Sequence, residues 1–220
     1  MNPYQSNDIY EVCRYSDRET WKKERKGGIG GSDAAAALGM SKWMTNVMLW
    51  QLKTGRAEPS DLSDNPAVRY GTFAEAPLRE LYTLENEDKY TMYYQPDTII
   101  VNRVDDSMRY SPDGLLIEKE TGRLGIWECK TATMHGIQKK ELWKTEIPKE
   151  YYIQVLHGMN VTGAEFVELH AQIEWCGERI RRTFHIERED VLEDLKFVFE
   201  GVKEFIGYIN RDEEPPLWIY

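Results

Sequence analysis

The chain has 220 residues, 41% of them hydrophobic, and a formal net charge of −10; that length is enough for one sizeable core, and a single domain over 1–220 is the expectation. No apolar run approaches the ~20 residues of a membrane span, and residues 1–15 lack the apolar centre of a secretion signal. Cys13, Cys129 and Cys176 are too dispersed for a zinc site or a four-thiolate iron–sulfur site, and their odd count fits a reduced, cytoplasmic protein. The negative charge weighs mildly against nucleic acid, because DNA-binding proteins usually carry a basic footprint. The acid excess is local, however. It gathers at 58–64, 85–88, 187–194 and 212–214, whereas basic residues gather at 22–26 and around Lys139, Lys140 and Lys144. A basic cleft on an acidic body is compatible with that pattern.

Residues 18–26 are highly charged and predict a helix. Gly27-Gly28-Ile29-Gly30-Gly31 breaks it. Ser32 or Asp33 is then placed to cap a helix over 34–38. Residues 46–54 predict a helix with Val47, Leu49, Trp50 and Leu52 on its apolar face, ended by Gly55. An acidic loop follows at 58–66. Residues 67–86 are the longest helical stretch, with Phe73, Leu78, Leu81 and Tyr82 on one broad side and Pro77 interrupting the ladder. β-Branched and aromatic residues at 90–101 predict one or two strands. Residues 109–111, 115–118 and 124–130 predict a meander. A helix over 149–160 precedes Gly163, and a hairpin over 166–173 and 179–187 turns at Cys176-Gly177. The chain closes on an amphipathic helix over 188–210 bearing Val191, Leu195, Val198, Val202, Phe205 and Ile206. Helix, strands, helix is an α/β pattern, a central mixed β-sheet flanked by helices.

The chemistry concentrates between Tyr110 and Thr131. Ser111-Pro112-Asp113-Gly114 places an acid at a turn, and Ile126-Trp127-Glu128-Cys129-Lys130 ends an apolar stretch. Alternate residues of a strand share a face. Glu128 and Lys130 therefore project together, and a hairpin after Gly114 brings Asp113 beside them. Two carboxylates and one ammonium are the parts of a magnesium-dependent phosphodiesterase: the acids hold a hard cation, and the lysine orients or deprotonates a water. The competing reading is an exposed ion pair, which contributes little; the apolar surroundings Leu124, Ile126, Trp127 and Cys129 weigh against it.

Other candidates have two readings each. Glu75 is either a solvated carboxylate or one turned toward the sheet beside Phe73 and Ala74. Gln154, among Tyr151, Val155 and Gly158, either caps a core edge or points its amide at the site. Arg25 and Ser32 flank the glycine run, where free N–H groups at a helix start attract an anion and an arginine adds a bidentate partner. No Gly-Lys-Ser/Thr follows, so this is not a nucleotide P-loop. His135, His157, His170 and His185 have no metal-ligand spacing, and Asp105 and Asp106 read as a loop cluster. Trp43 and Trp143 are candidates for contact with DNA bases or subunits.

Together these motifs resemble the PD-(D/E)XK nuclease superfamily and, within it, the YqaJ-like viral recombinase and lambda exonuclease family, over 25–163. The resemblance rests on Arg25, Ile29-Gly30-Gly31-Ser32-Asp33-Ala34-Ala35, Tyr70-Gly71-Thr72-Phe73-Ala74-Glu75, Ser111-Pro112-Asp113-Gly114, Glu128-Cys129-Lys130-Thr131, and the stretch from Ile147-Pro148 through Gln154 to Gly163-Ala164, in the family's order. It implies a restriction-endonuclease-like core. Asp113, Glu128 and the Cys129 backbone carbonyl are implied to hold Mg²⁺, with Mn²⁺ able to substitute and Glu75 assisting directly or through water. Lys130 is implied to activate or position the attacking water, for which a lowered pKa would serve. Gln154 is implied to hold that water or the scissile phosphate, and Arg25, Ser32 and Ser111 the 5′-terminal phosphate of DNA.

The implied activity is 5′-to-3′ digestion of linear double-stranded DNA to mononucleotides. It leaves a 3′ single strand for a single-strand annealing protein, in a phage- or prophage-encoded, cytoplasmic, ring-shaped homotrimer. One departure stands out. Where the family carries an arginine after its catalytic lysine, this chain has Thr133-Met134-His135-Gly136. The basic role falls to His135, Lys139 or Lys140, or is missing, which leaves 5′-phosphate dependence open. Two rivals remain: a structure- or sequence-directed endonuclease of the same superfamily, and a catalytically inactive DNA-end binder, against which the intact acids and lysine weigh.

Overall fold

A five-stranded mixed sheet in the order β2-β5-β6-β7-β8 organises the computed structural model, which describes residues 2–134, 143 and 145–218. Its strands are β2 (Tyr90–Tyr93), β5 (Gly114–Glu118), β6 (Leu124–Thr133), β7 (Phe166–Trp175) and β8 (Glu178–Glu187). β5 and β6 form the expected hairpin, Gly114 opposite Trp127. β6 and β7 are parallel, Glu128 opposite Leu169. Parallel neighbours need a crossover, and helix α5 (Lys149–Thr162) lies on it. α5 stops at Gly163, whose φ of 70° lies in the left-handed region that favours glycine.

A second, antiparallel sheet of β1 (Tyr10–Arg14), β3 (Thr98–Asn102) and β4 (Arg109–Tyr110) lies apart from the first. This corrects the predicted meander. β4 pairs with β3, not with β5, and the two strands at 90–102 join different sheets. β1 escapes the sequence reading because five residues, two of them charged (Glu11 and Arg14), show little periodicity.

The helices cover both faces of the five-stranded sheet. α4 (Pro66–Glu85) packs Leu78 and Tyr82 against Leu116, Trp127, Cys129 and Phe166. On the opposite face, α2 (Gly31–Ala37), α5 and α6 (Leu192–Arg211) enclose the larger core with Leu115, Ile126, Val167, Leu169 and Ala171. α6 buries Leu195, Val198, Val202, Phe205 and Ile206, preceded by a 3₁₀ turn at Arg188–Val191. α1 (Arg18–Arg25) and α3 (Asn46–Lys53) complete the shell.

Three expectations need correction. α2 starts three residues earlier than predicted, with Gly30 as its N-cap, so neither Ser32 nor Asp33 caps it by position. Pro77 leaves α4 unbroken, because Pro77 is exposed and the carbonyl it frees, on Phe73, lies on a surface residue. Phe73 and Leu81, placed on one broad apolar side of α4 with Leu78 and Tyr82, do not share their burial and are 76% and 43% exposed. Among the described residues no helix is long and apolar enough to cross a membrane.

Candidate active site

The β5–β6 hairpin builds the centre of the site. Asp113 precedes Gly114, the last residue of β5 paired to β6 at this end. β6 continues past it as Glu128, Cys129 and Lys130, so its edge there has no strand partner on the β5 side. Asp113 fills that gap: its Oδ2 accepts the Cys129 N–H at 2.9 Å. A residue in a strand sends its N–H and C=O to the same edge, so the Cys129 carbonyl also faces the Asp113 side.

Glu128 and Lys130 share the face that α5 covers, as their spacing requires. Glu128 is 1% exposed, and both of its oxygens accept hydrogen bonds. Oε1 accepts from Lys130 Nζ at 2.7 Å and from Gln154 Nε2 at 2.5 Å; Oε2 accepts from the Tyr110 hydroxyl at 2.5 Å. Lys130 also lies 5.2 Å from the Tyr151 ring centroid. Gln154 thus has the inward orientation of its two readings.

Tyr110 was not singled out in the sequence. It is 1% exposed and wedged between two helices. A Cβ on Gly158 of α5 would lie 2.7 Å from its ring, and one on Gly31 of α2 would lie 3.0 Å away. Those two glycines make the slot that aims the phenol at Glu128. Burial, then the charges of Glu128 and Asp113, push its pKa far up, so it remains a neutral donor.

The electrostatics reverse one expectation. Burial alone would lower the Lys130 pKa, but Glu128 and Asp113 outweigh it, and the ammonium is held above its ordinary value rather than below. Lys130 is therefore a charged donor here, not a free base. Asp113 shows the complementary stress: burial first, then Glu128, hold its carboxyl well above the usual range. Glu75 is nearby but separately tied. Arg79 Nη1 bonds both Glu75 Oε1, at 3.0 Å, and the Asp113 carbonyl, at 2.9 Å.

Arg25, Ser32 and Ser111 come together as expected, in a pocket whose walls also include Arg109, Tyr110 and Gln154. Arg25 Nη2 donates to Ser32 Oγ at 3.2 Å. Two details differ from the sequence reading. The Gly30 N–H at the helix start is already taken by Asp33 Oδ2 at 3.0 Å, and Lys53 neutralises Asp33 at 2.7 Å. Arg109 is a second pocket arginine that sequence reasoning missed. Both donors that grip Glu128 besides Lys130, Tyr110 and Gln154, are also pocket walls, so pocket and carboxylates share their framework.

The remaining candidates fall outside this constellation. Trp143 is 3% exposed and packs against Tyr151 and Phe184, which removes it as a DNA contact. His157 is buried against the Ile29 and Arg109 carbonyls, His170 meets Thr183, and His185 lies between Glu168 and Glu187. Asp105 caps a turn through the Ser107 N–H. His135, Lys139, Lys140 and Lys144 lie outside the described residues.

Residues 20–165 match the model of the YqaJ-like viral recombinase domain. The chain belongs to that family. YqaJ of Bacillus subtilis (strain 168) is 31% identical over 183 residues, which are 83% of this chain and 54% of YqaJ. The chain thus spans about half the length of that relative. Among solved structures, the alkaline exonuclease LHK-Exo of Laribacter hongkongensis is similar in fold at 22% identity, over 89% of this chain and 94% of that one. Its TM-score is 0.66, and 0.67 for its complex with dAMP. The α/β core expected from the motifs, a central mixed sheet flanked by helices, is the fold found, and LHK-Exo shares it.

The donor set suits a hard cation. Asp113, Glu128 and the Cys129 carbonyl would supply oxygen ligands, and a divalent ion would relieve the mutual repulsion of the two carboxylates. Among the described residues no three His, Cys, Asp or Glu side chains form a ready-made metal cage. Magnesium needs none, since it is commonly held by one or two carboxylates with waters and substrate phosphate.

Proposed function

We propose that this family member is a Mg²⁺-dependent exonuclease that digests linear duplex DNA from its 5′ ends and leaves a 3′ single strand. The observation that carries this reading is the convergence of Asp113, Glu128 and Lys130 at the open end of one hairpin, beside a pocket with two arginines. The likeness in fold to LHK-Exo, an alkaline exonuclease, supports it.

Asp113, Glu128 and the Cys129 carbonyl would hold the ion, with Glu75 assisting directly or through water. When bound, the cation supplies charge neutralisation on the scissile phosphate and the leaving oxygen. Lys130 keeps its proton on Nζ and donates to the attacking water or to the phosphate, fixing the line of attack. Gln154, anchored by Glu128 on one side, presents its amide to the pocket and positions the phosphate. Arg25, with Ser32 and Ser111, receives the terminal phosphate, and Arg109, whose guanidinium is held by the Glu24 and Asp106 carbonyls, adds positive charge to the pocket wall, so the next linkage falls at the carboxylates. The family resemblance supports the rest: a ring-shaped trimer on the duplex, a single-strand annealing protein as recipient of the 3′ strand, and a phage- or prophage-encoded protein of the bacterial cytoplasm.

End-labelled linear duplex and closed circular plasmid, each with Mg²⁺, test this reading. Progressive loss of the linear duplex to mononucleotides with an untouched circle is expected; nicking of the circle would make the protein an endonuclease. Arg25→Ala should lower the rate on 5′-phosphorylated ends by roughly tenfold, the size of a charge-assisted contact, and leave 5′-hydroxyl ends nearly unaffected. Equal rates of the parent protein on both ends would count against the pocket.

A further inference from the structure

Of the seven tryptophans, Trp43 is the exposed one, at 61%. It is uncovered yet held. Its ring lies 6.1 Å from that of Tyr151, tilted by 40°, and the Lys42 ammonium sits 4.3 Å from its centroid. Lys42 is in turn paired with Glu150. Tyr151 leads inward, with its ring centroid 5.2 Å from Lys130 Nζ. A line of two aromatic rings therefore runs from the candidate water-positioning lysine to the surface, on the α5 side of the sheet where Glu128 also lies.

We propose that Trp43, backed by Tyr151, is a stacking subsite for an unpaired nucleobase of the DNA strand next to the scissile phosphate. This rests on the nuclease reading above. A phosphate held at the carboxylates puts a neighbouring base within reach of rings this close to Lys130. Charge strengthens the argument. A chain of net charge −10 gains little from long-range attraction to DNA, and Lys42 is already neutralised by Glu150. Stacking on an aromatic face needs no charge and tolerates any base. Binding at this site is therefore less salt-dependent than binding by a basic groove.

The test uses a duplex with a frayed 5′ end carrying 2-aminopurine as its unpaired base, with EDTA present so that nothing is cut. The parent protein should quench the probe. Trp43→Ala should weaken binding about 5- to 100-fold and abolish the quenching, whereas Trp43→Phe keeps most of both. Melting temperature should stay at the parent's value, since the indole is largely outside the core. Unchanged affinity and quenching in Trp43→Ala would overturn the subsite. The two readings fail separately. A parent that quenches the probe but never cuts with Mg²⁺ sinks the nuclease reading alone; a parent that cuts while Trp43→Ala binds and quenches like it sinks the stacking alone.

Discussion

Asp113→Asn is expected to reduce digestion of linear duplex DNA by about 10³-fold or more, while the metal-free protein melts no lower than the parent. The two halves of this result have one cause. Asp113 Oδ2 accepts the Cys129 N–H, and an asparagine oxygen can keep that bond. What asparagine removes is a charge that burial and Glu128 make unfavourable, as the raised pKa of Asp113 shows. A raised carboxylate pKa means that ionisation at neutral pH works against the fold, so neutralising the group relieves it. Sites that crowd like charges commonly trade stability for activity in this way. Digestion assays and thermal melts of parent and variant check both halves. A variant that melts several degrees lower would show Asp113 to be a structural hydrogen-bonding residue, and one that digests normally would remove it from the chemistry.

Gly158→Ala carries the second large effect, and its sign is unusual. Glycine inside a helix is ordinarily about 0.5–1 kcal/mol worse than alanine, so the default outcome is stabilisation. At position 158 the new methyl would sit 2.7 Å from the Tyr110 ring. Tyr110 is enclosed and has Gly31 on its other side, with only 3.0 Å to spare for a Cβ there. Overpacking of this kind costs about 1–3 kcal/mol, and relief requires the ring to move, which takes its hydroxyl off Glu128. Urea unfolding should show that loss, and digestion should fall with it. Tyr110→Phe separates the two effects. It spares the packing, removes the hydroxyl that meets Glu128 Oε2, and should lower activity about 10- to 100-fold, as losses of supporting hydrogen bonds at metal sites do. A stabilised Gly158→Ala protein would contradict the slot.

Much of this site was legible in the sequence because its parts are local. Asp113 sits at a Pro-Asp-Gly turn, and Glu128 and Lys130 obey the two-residue period of a strand; turn chemistry and period together fix a hairpin. Gln154 and Glu75 rested on resemblance alone, since a helix pattern does not say which polar residue faces inward. The structure turns Gln154 onto Glu128 and leaves Glu75 with Arg79.

The missed features depend on distant partners. Tyr110 gains its role from glycines about 80 and 50 residues away in sequence, and before Ser111 it reads as ordinary strand filler. β4 has two residues, too few for any period, and its partner is set by tertiary packing. α2 begins inside the glycine run because Gly31 must lie close to Tyr110 and Gln154, so a stretch that looks like a breaker is a close-packing surface. Phe73 and Leu81 fit the period of α4 but not its buried arc, because periodicity marks a stripe without saying how wide a strip the sheet covers. The raised pKa of Lys130 was likewise out of reach: it reflects two carboxylates whose nearness outweighs burial.

Titration calorimetry of the DNA-free protein with Mn²⁺, run beside Asp113→Asn and Glu128→Gln, addresses the central claim most directly. Saturable binding of a divalent ion by the parent, lost in both variants while their folds persist, is the predicted result. Equal Mn²⁺ binding by all three proteins would contradict the account, because the ion would then be held by something other than these carboxylates.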